Sequence, residues 1–470
     1  MTVAERLAAG DLGFLDEEEL AAFVAERRWF AGSAREIAGA GVLATVPISE
    51  DPPLAIAIVE VRLHPGTHEV YQLVLGVREP GGEEGSAVGR ADGTEVYDAL
   101  EDPTAAAALL EAIRASRLVE GPEGVVEFRS AAGADAFGEP PSAIRPVGRE
   151  QSNSSIVFDE RLILKAYRRL EPGIGPEIEI LRFLADREFD AVPALVGWYE
   201  HRGPPLDVTL GVLQRFLPDA DDGWEIAQDL LRRGEGATFH PLAHELGAAI
   251  GRLHATLASD SADPAFAPEA ISSEGLALRI ATIDEQVRDV FASLPDDPVL
   301  EEVALRQEEL RTGLQSTPKG DDLGRKIRIH GDLHLGQGLR SDGRWYIVDL
   351  EGEPARPISE RRLKASPLRD VAGMLRSFSY AERGARILQG VDAPPGWAAL
   401  AREAFLAGYF PEVERTGILP ASRTVTEELL RLFELEKAVY ELAYEVAHRP
   451  EWAAIPAECI VALLDREAEA

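Results

Sequence analysis

The run Ile329-His330-Gly331-Asp332-Leu333-His334-Leu335-Gly336-Gln337 sets a carboxylate on a loop and an amide side chain five residues later; the apolar stretch Trp345 to Val348 then ends in a second carboxylate, Asp349. An acid that can take a hydroxyl proton, close to an amide and an acid that can ligate a hard cation, is the layout that holds nucleotide-bound Mg²⁺ beside a hydroxyl acceptor. The spacing assigns the acceptor's proton to Asp332 and the metal to Gln337 and Asp349. Glu351, two residues further on, adds a third carboxylate in reach of metal or phosphates. Acids that only cap turns would not need this order.

Two letters depart from the protein-kinase form of the pattern. Gln337 stands where Asn is usual, keeping an amide oxygen on a longer arm, and Asp349-Leu350-Glu351-Gly352 replaces Asp-Phe-Gly. Such a site also needs a phosphate-cradling loop, a lysine on the next strand and a helix carboxylate that orients the lysine. Gln151-Ser152-Asn153-Ser154-Ser155 follows the strand-like stretch Ala143 to Val147 and precedes a hairpin, Ile156 to Phe158 and Leu162 to Lys165. Hydroxyls, amides and backbone N–H groups at such a tip bind phosphate oxygens without glycine.

Lys165 is marked out by composition. The chain has 48 Lys+Arg but only five lysines, at 165, 319, 326, 364 and 437. Arginine fills the generic surface positions, so a lysine on an apolar strand suits a compact ammonium that pairs with the α- and β-phosphates. The amphipathic stretch Glu177 to Leu184, with Pro176 at its first turn, supplies the partner: Glu179, with Glu177 as the fallback. Val208 to Pro218 reads as a buried strand running into a stop, where a two-lobed kinase places its adenine-binding hinge; Gln214 and Phe216 fall on it.

At 470 residues the chain has room for two or three domains, and 45% hydrophobic residues permit real cores. No apolar run approaches a membrane span, and Met1 to Arg6 lacks the basic-then-apolar order of a signal peptide. The single cysteine, Cys459, excludes an internal disulfide and fits a reducing cytosol. A net charge of −34 argues against nucleic acid or anionic membranes as partners. An ATP site must then be a basic island in an acidic protein.

Patterning predicts a helix over 16–26, a β-hairpin from Leu54 to Leu63 and Val70 to Leu75 turning at 64–67, and a helix within 97–115. Gly81 to Gly85 reads as a loop, Ala131 to Pro141 as a linker, and the chain from Pro241 onward as mainly helical.

With these parts in place, the chain resembles the actinobacterial maltokinases, a branch of the aminoglycoside-phosphotransferase-like, eukaryotic-protein-kinase-like superfamily. The resemblance runs almost end to end. It rests on Arg27-Arg28-Trp29-Phe30-Ala31-Gly32, Glu150 to Ser155, His330 to Gln337, Asp349-Leu350-Glu351-Gly352-Glu353-Pro354, Ser366 to Phe378 and Glu436-Lys437-Ala438-Val439-Tyr440-Glu441. It implies an α+β, bilobal protein-kinase-like fold with an N-terminal cap fused to the small lobe: a cap over 1–90, an intermediate region and small lobe over 91–218, and a mainly helical large lobe over 219–470. The implied activity is transfer of the γ-phosphoryl of ATP, with Mg²⁺, to the anomeric hydroxyl of maltose, giving maltose 1-phosphate for α-glucan synthesis. Some members of the family are fused to a trehalose synthase, which becomes an expected partner. Gly338 departs from the family's larger aliphatic and implies local flexibility.

A sugar is gripped by acids and amides on its hydroxyls and by rings on its apolar faces. Lys437, Tyr440, Glu441, Tyr444 and His448 recur at three- and four-residue steps on a helix near 425–447, and Arg449 and Trp452 follow. The resemblance makes these, with His334 of the loop, the sugar contacts; Lys437 and Glu441 also read as an i,i+4 surface pair and the tyrosines as core. Trp29 reads as core. Asp370, near the start of a helix with Ser366 as N-cap and Pro367 in its first turn, reads as an anchor of the catalytic loop. Two other functions share the phosphate machinery. One is a kinase for another sugar or amino sugar, of glucosamine or aminoglycoside type, whose pocket would carry more carboxylates and fewer cations. The other is a nucleotide-binding pseudokinase, which would have no use for Asp332.

Overall fold

The computed structural model describes residues 1–32, 35–81, 87–131, 133, 136–148, 153–315 and 322–469. They form two compact units: residues 1–185 with 193–218, and residues 186–192 with 219–470.

The predicted hairpin lies at the centre of the first unit and is longer than its apolar runs suggested. Pro53–Leu63 pairs antiparallel with Thr67–Arg78, in register from Leu63 opposite Thr67 to Leu54 opposite Gly76. Ile37–Glu50 flanks it on one side and Thr94–Asp98 on the other, with Ala87–Ala91 outermost. Leu54 to Val59 is continuously apolar because both faces of this sheet are covered. Alternate residues go to different cores. Ala55, Ala57 and Val59 pack under the helices Val3–Ala8 and Glu17–Ala25, whereas Leu54, Ile56 and Ile58 pack with Leu109, Phe128, Ile156 and Leu164 of the residues that follow. The cap and the small lobe thus share one core.

The second sheet runs Leu118–Glu120, Val125–Ser130, Leu195–Arg202, Val208–Arg215, Leu162–Tyr167, Asn153–Phe158, Ile144–Val147. Lys165 stands in its interior, opposite Ser155 on one neighbour and Val212 on the other. A further link ties the two sheets: Arg169–Leu170 pairs with Val70 and Tyr71 of the cap.

The second unit is mainly helical, as expected. Phe239–Leu257 and Trp397–Val413 pack so closely that a Cβ on Gly247 or Gly408 would collide with the facing backbone. Leu368–Gln389 and Arg423–His448 form the second helical pair, and the strands Gly338–Ser341 and Arg344–Ile347 close the loop that begins at His330. Pro367, not Ser366, occupies the N-cap of Leu368–Gln389; the Ser366 hydroxyl instead accepts the Leu368 N–H at 3.4 Å. No helix among the described residues is long and apolar enough to cross a membrane.

Candidate active site

The loop bearing Asp332 is fixed from beneath by a single carboxylate. Asp370, 2% exposed, accepts the N–H of His330 at 2.7 Å and of Gly331 at 2.9 Å, and pairs with Nε2 of His254 at 3.0 Å. Burial pushes the Asp370 carboxyl up, yet the His254 hydrogen bond, the charges of His254 and His330 and the Gly331 N–H outweigh it and hold it below the usual range. His254 is braced in turn by Tyr409 at 2.9 Å. Gly331 takes φ +87°, a conformation that excludes a side chain at little cost only in glycine. His330 reaches across to the carbonyl of Val348 at 2.8 Å, tying the loop to the strand that delivers Asp349.

Gln337 and Asp349 meet, with Gln337 Nε2 3.4 Å from Asp349 Oδ2. Asp349 sits at φ +65°, a strained backbone for a non-glycine residue and one that recurs where a side chain must be aimed. Its carboxylate lies within 4.8 Å of that of Glu351, whose own oxygen is 3.8 Å from Arg361. Two carboxylates and an amide converging here are hard oxygen donors, the set that fits Mg²⁺. Since amide orientation follows from the choice of hydrogen bonds, turning Gln337 presents its oxygen at the same place. His334 serves the loop itself: Nδ1 accepts the Gly336 N–H at 3.1 Å and Nε2 lies 3.4 Å from Gln337. Gly338 is not a source of flexibility. It is buried in a strand, where a Cβ would stand 3.2 Å from Leu246 and 3.5 Å from Trp345, so its smallness serves packing.

In the first unit Lys165 pairs with Glu177 at 3.2 Å, the residue read as the fallback. Glu177 opens the helix Pro176–Ala185, is 3% exposed and also accepts the Tyr167 hydroxyl at 2.7 Å. Glu179 is two residues on, about 200° around the helix, and only half-buried. Of the expected phosphate-loop residues, Gln151 and Ser152 lie outside the described residues. Asn153, Ser154 and Ser155 belong to a strand. The buried Ser154 hydroxyl accepts from Arg168 Nε at 2.9 Å, and Arg168 pairs with Asp98 at 2.7 Å and lies over the Trp29 ring. That hydroxyl is committed to the cap, which corrects its reading as a phosphate contact. At the expected hinge, Gln214 Nε2 donates to the Pro193 carbonyl at 3.3 Å and the Phe216 N–H to the Arg161 carbonyl at 2.9 Å.

Back in the second unit, a cleft of about 630 Å³ opens beside Asp332, with Arg279, Arg369, Glu436, Lys437 and Tyr440 among its walls. Lys437 Nζ is 3.9 Å from Asp332 Oδ1 and 5.3 Å from the centre of the Tyr440 ring. Burial, and then its hydrogen bond to Glu353, pushes the Tyr440 hydroxyl up to about 12. Glu353 is held by Arg356 at 2.8 Å, and Glu436 by Arg279 at 3.2 Å and Arg369 at 3.4 Å. The other expected sugar contacts lie outside this cleft's walls, further along the same helix, Arg423–His448, and just past its end. Glu441 accepts from Arg376 at 3.0 Å, Tyr444 stacks on His448 at 4.5 Å, Arg449 holds Glu445 at 2.6 Å, and the buried Trp452 stacks on Tyr380 at 6.2 Å. Sequence reasoning missed Arg279, Glu436 and Arg376. Glu436 and Arg376 stood inside matched blocks, while Arg279 carries no motif.

Residues 143–406 match the model of the phosphotransferase enzyme family, and residues 23–102 that of the maltokinase N-terminal cap domain. The chain belongs to the phosphotransferase enzyme family. Among the relatives of this phosphotransferase are glucosamine kinases from Streptacidiphilus jiangxiensis, 31% identical over 65% of this chain and 70% of that protein, and from Mycolicibacterium smegmatis, 30% identical over 68% and 79%. A solved glucosamine kinase in complex with glucosamine, ADP and inorganic phosphate covers 99% of both chains with a TM-score of 0.71 at 23% identity, which shows that the phosphotransferase shares its fold, cap included.

Proposed function

We propose that this phosphotransferase moves the γ-phosphoryl of ATP to the anomeric hydroxyl of maltose, giving maltose 1-phosphate for α-glucan synthesis. The observation that carries the sugar reading is the pairing of carboxylates with cations in the cleft beside Asp332: Glu353 with Arg356, and Glu436 with Arg279 and Arg369. A cationic amino sugar needs carboxylates that are not already matched, whereas neutral hydroxyls are well served by paired, orienting charges. The cap match and the long blocks shared with maltokinases support the same reading.

In the reaction the Asp332 carboxylate accepts the proton as the sugar oxygen bonds to the γ-phosphorus and the bond to ADP breaks. Lys165, oriented by Glu177, pairs with phosphate oxygens. Gln337, Asp349 and Glu351 would hold Mg²⁺, which when bound neutralises charge on the phosphates. Lys437, Tyr440, Glu441, Tyr444 and Arg449 hold the sugar, while Trp452, packed between Tyr380 and Trp224, belongs to the core behind them. A trehalose-to-maltose isomerase is the partner that would supply it, and the cytosol is the compartment that the single cysteine and ATP dependence support.

A second reading, glucosamine as acceptor, is favoured by the two glucosamine kinases that are 31% and 30% identical to this chain over the matched residues. Incubation with ATP, Mg²⁺ and a panel of maltose, glucose, glucosamine and an aminoglycoside, with product assignment by phosphorus and proton NMR, separates the readings. Maltose 1-phosphate as the main product is expected; glucosamine phosphate in its place sinks the maltose reading.

A further inference from the structure

Lys437 and Asp332 both line the cleft of the second unit, and their side chains are 34% and 27% exposed, so a molecule in the cleft can touch both. The groups around Lys437 aim its ammonium. Glu436, one residue before it, is held by Arg279 and Arg369, and Glu441, four residues on, by Arg376. With guanidinium partners on those two carboxylates, the ammonium turns to the loop that bears Asp332. The Tyr440 ring, fixed through its hydroxyl on Glu353, lies 5.3 Å from Nζ.

The separation is the telling quantity. Lys437 Nζ and Asp332 Oδ1 stand 3.9 Å apart, about 1 Å beyond a hydrogen bond. Lys326 and Lys364, by contrast, close on Glu269 at 3.3 and 2.8 Å. An oxygen placed about 2.8 Å from both Nζ and Oδ1 would see them roughly 90° apart. That suits a hydroxyl, which donates through its hydrogen in one direction and accepts on a lone pair in another. The space between the two side chains thus has the dimensions of one acceptor hydroxyl, with its O–H toward Asp332 and a lone pair toward Lys437.

We propose that Lys437 is a second catalytic residue: it donates to the attacking oxygen of the acceptor while Asp332 takes that oxygen's proton. As the O–H bond breaks, the oxygen gains negative charge and bonds to the γ-phosphorus, and the bond from that phosphorus to the leaving ADP oxygen breaks. Lys437 keeps its protons throughout and stabilises charge where it develops. A compact ammonium serves one oxygen, where the planar fork of arginine is shaped for two. The proposal rests on Asp332 as the base and not on which sugar is bound.

The test uses the full chain with ATP, Mg²⁺ and whichever of maltose, glucose and glucosamine the wild-type protein phosphorylates fastest. Lys437→Met keeps the stem and removes the charge. It should lower kcat on the order of 10²-fold or more, the range for losing one donor to a developing oxyanion, with KM for ATP unchanged. Added propylammonium should restore part of the rate of Lys437→Ala, which also decides the matter if Lys437→Met does not fold. Because both groups act on one oxygen, Lys437→Met should cost far less in an Asp332→Asn background than in wild type. If kcat stays near wild type and only KM for the sugar rises, Lys437 merely holds the sugar and the inference falls alone. It falls alone too if kcat drops but propylammonium restores nothing and the losses of the two variants multiply in full. Near wild-type rates for Asp332→Asn overturn the base assignment and this inference together, and a wild-type protein that phosphorylates none of the three sugars overturns the proposed function with it.

Discussion

Lys437 Nζ stands 3.9 Å from Oδ1 of Asp332. The residue chosen to take the acceptor's proton thus has beside it a cation from the helix chosen to hold the acceptor. On the proposed reading, a hydroxyl delivered along that helix would reach a carboxylate whose charge is already balanced.

Asp332→Asn keeps the shape of the side chain and removes its ability to take a proton. Loss of a general base costs roughly 10²- to 10⁴-fold in rate, so turnover should fall by at least that while ATP binding, followed by calorimetry, persists. Rates near wild type would sink the assignment of the base.

Asp370 accepts two backbone N–H groups and a histidine, more than an amide can satisfy. In Asp370→Asn at least one buried donor is left facing a donor, costing about 1–3 kcal/mol, and both Tm and kcat should fall. Because the folded carboxyl titrates below its ordinary value of 3.8, its contribution is fully present above that value and is lost as pH falls through the folded pKa. The Tm gap between wild type and variant should therefore hold constant from neutral pH to about pH 5 and narrow only in stronger acid. A gap that already closes by pH 6 would mean that another group, not Asp370, sets it.

Glu177 and Glu179 offer a clean contrast. Glu177→Gln weakens the contact that orients Lys165 and should raise KM for ATP with a fall in kcat of about tenfold or more, since hydrogen bonds to charged groups are worth roughly 1.5–3 kcal/mol. Glu179→Gln, on a half-buried position round the helix, should change these constants less than Glu177→Gln does. The reverse order would restore Glu179 as the lysine's partner.

Those two glutamates also show where sequence stops being informative. His330 to Gln337 is a run of consecutive residues, so the motif itself is legible without a fold. The choice between Glu177 and Glu179 depends instead on which way a helix faces a strand, and two flanking acids in one first turn look alike. Arg279 could not be read at all, because it reaches Glu436 from a helix, Ser273–Ala292, more than 150 residues away with no motif of its own. Ile37–Glu50 was missed for a different reason: Gly39, Ala40 and Gly41 are weak strand formers, and three register shifts interrupt its pairing. Leu54 to Val59 was legible as strand, but its service to two cores was not, since only the surroundings reveal that both faces are covered.

Tyr444 and Trp452 separate sugar contact from core. Tyr444 is 44% exposed and rests on His448, whereas Trp452 is 7% exposed and packed between Tyr380 and Trp224. A ring that is largely solvated contributes little to folding, so Tyr444→Ala should alter stability by no more than about 0.5 kcal/mol. It removes a platform for an apolar sugar face, so KM for maltose should rise several-fold with KM for ATP unchanged. Trp452→Ala opens a cavity among aromatic rings and should cost about 3–5 kcal/mol, visible as a lower Tm before any kinetic constant is measured. Glucose, with one ring, should feel the Tyr444 change less than maltose if the tyrosine holds the second ring, and equally if it holds the first. If instead Tyr444→Ala lowers Tm as far as Trp452→Ala does and leaves maltose kinetics intact, the tyrosine belongs to the core and the second ring must lie against the cleft walls near Arg279 and Glu436.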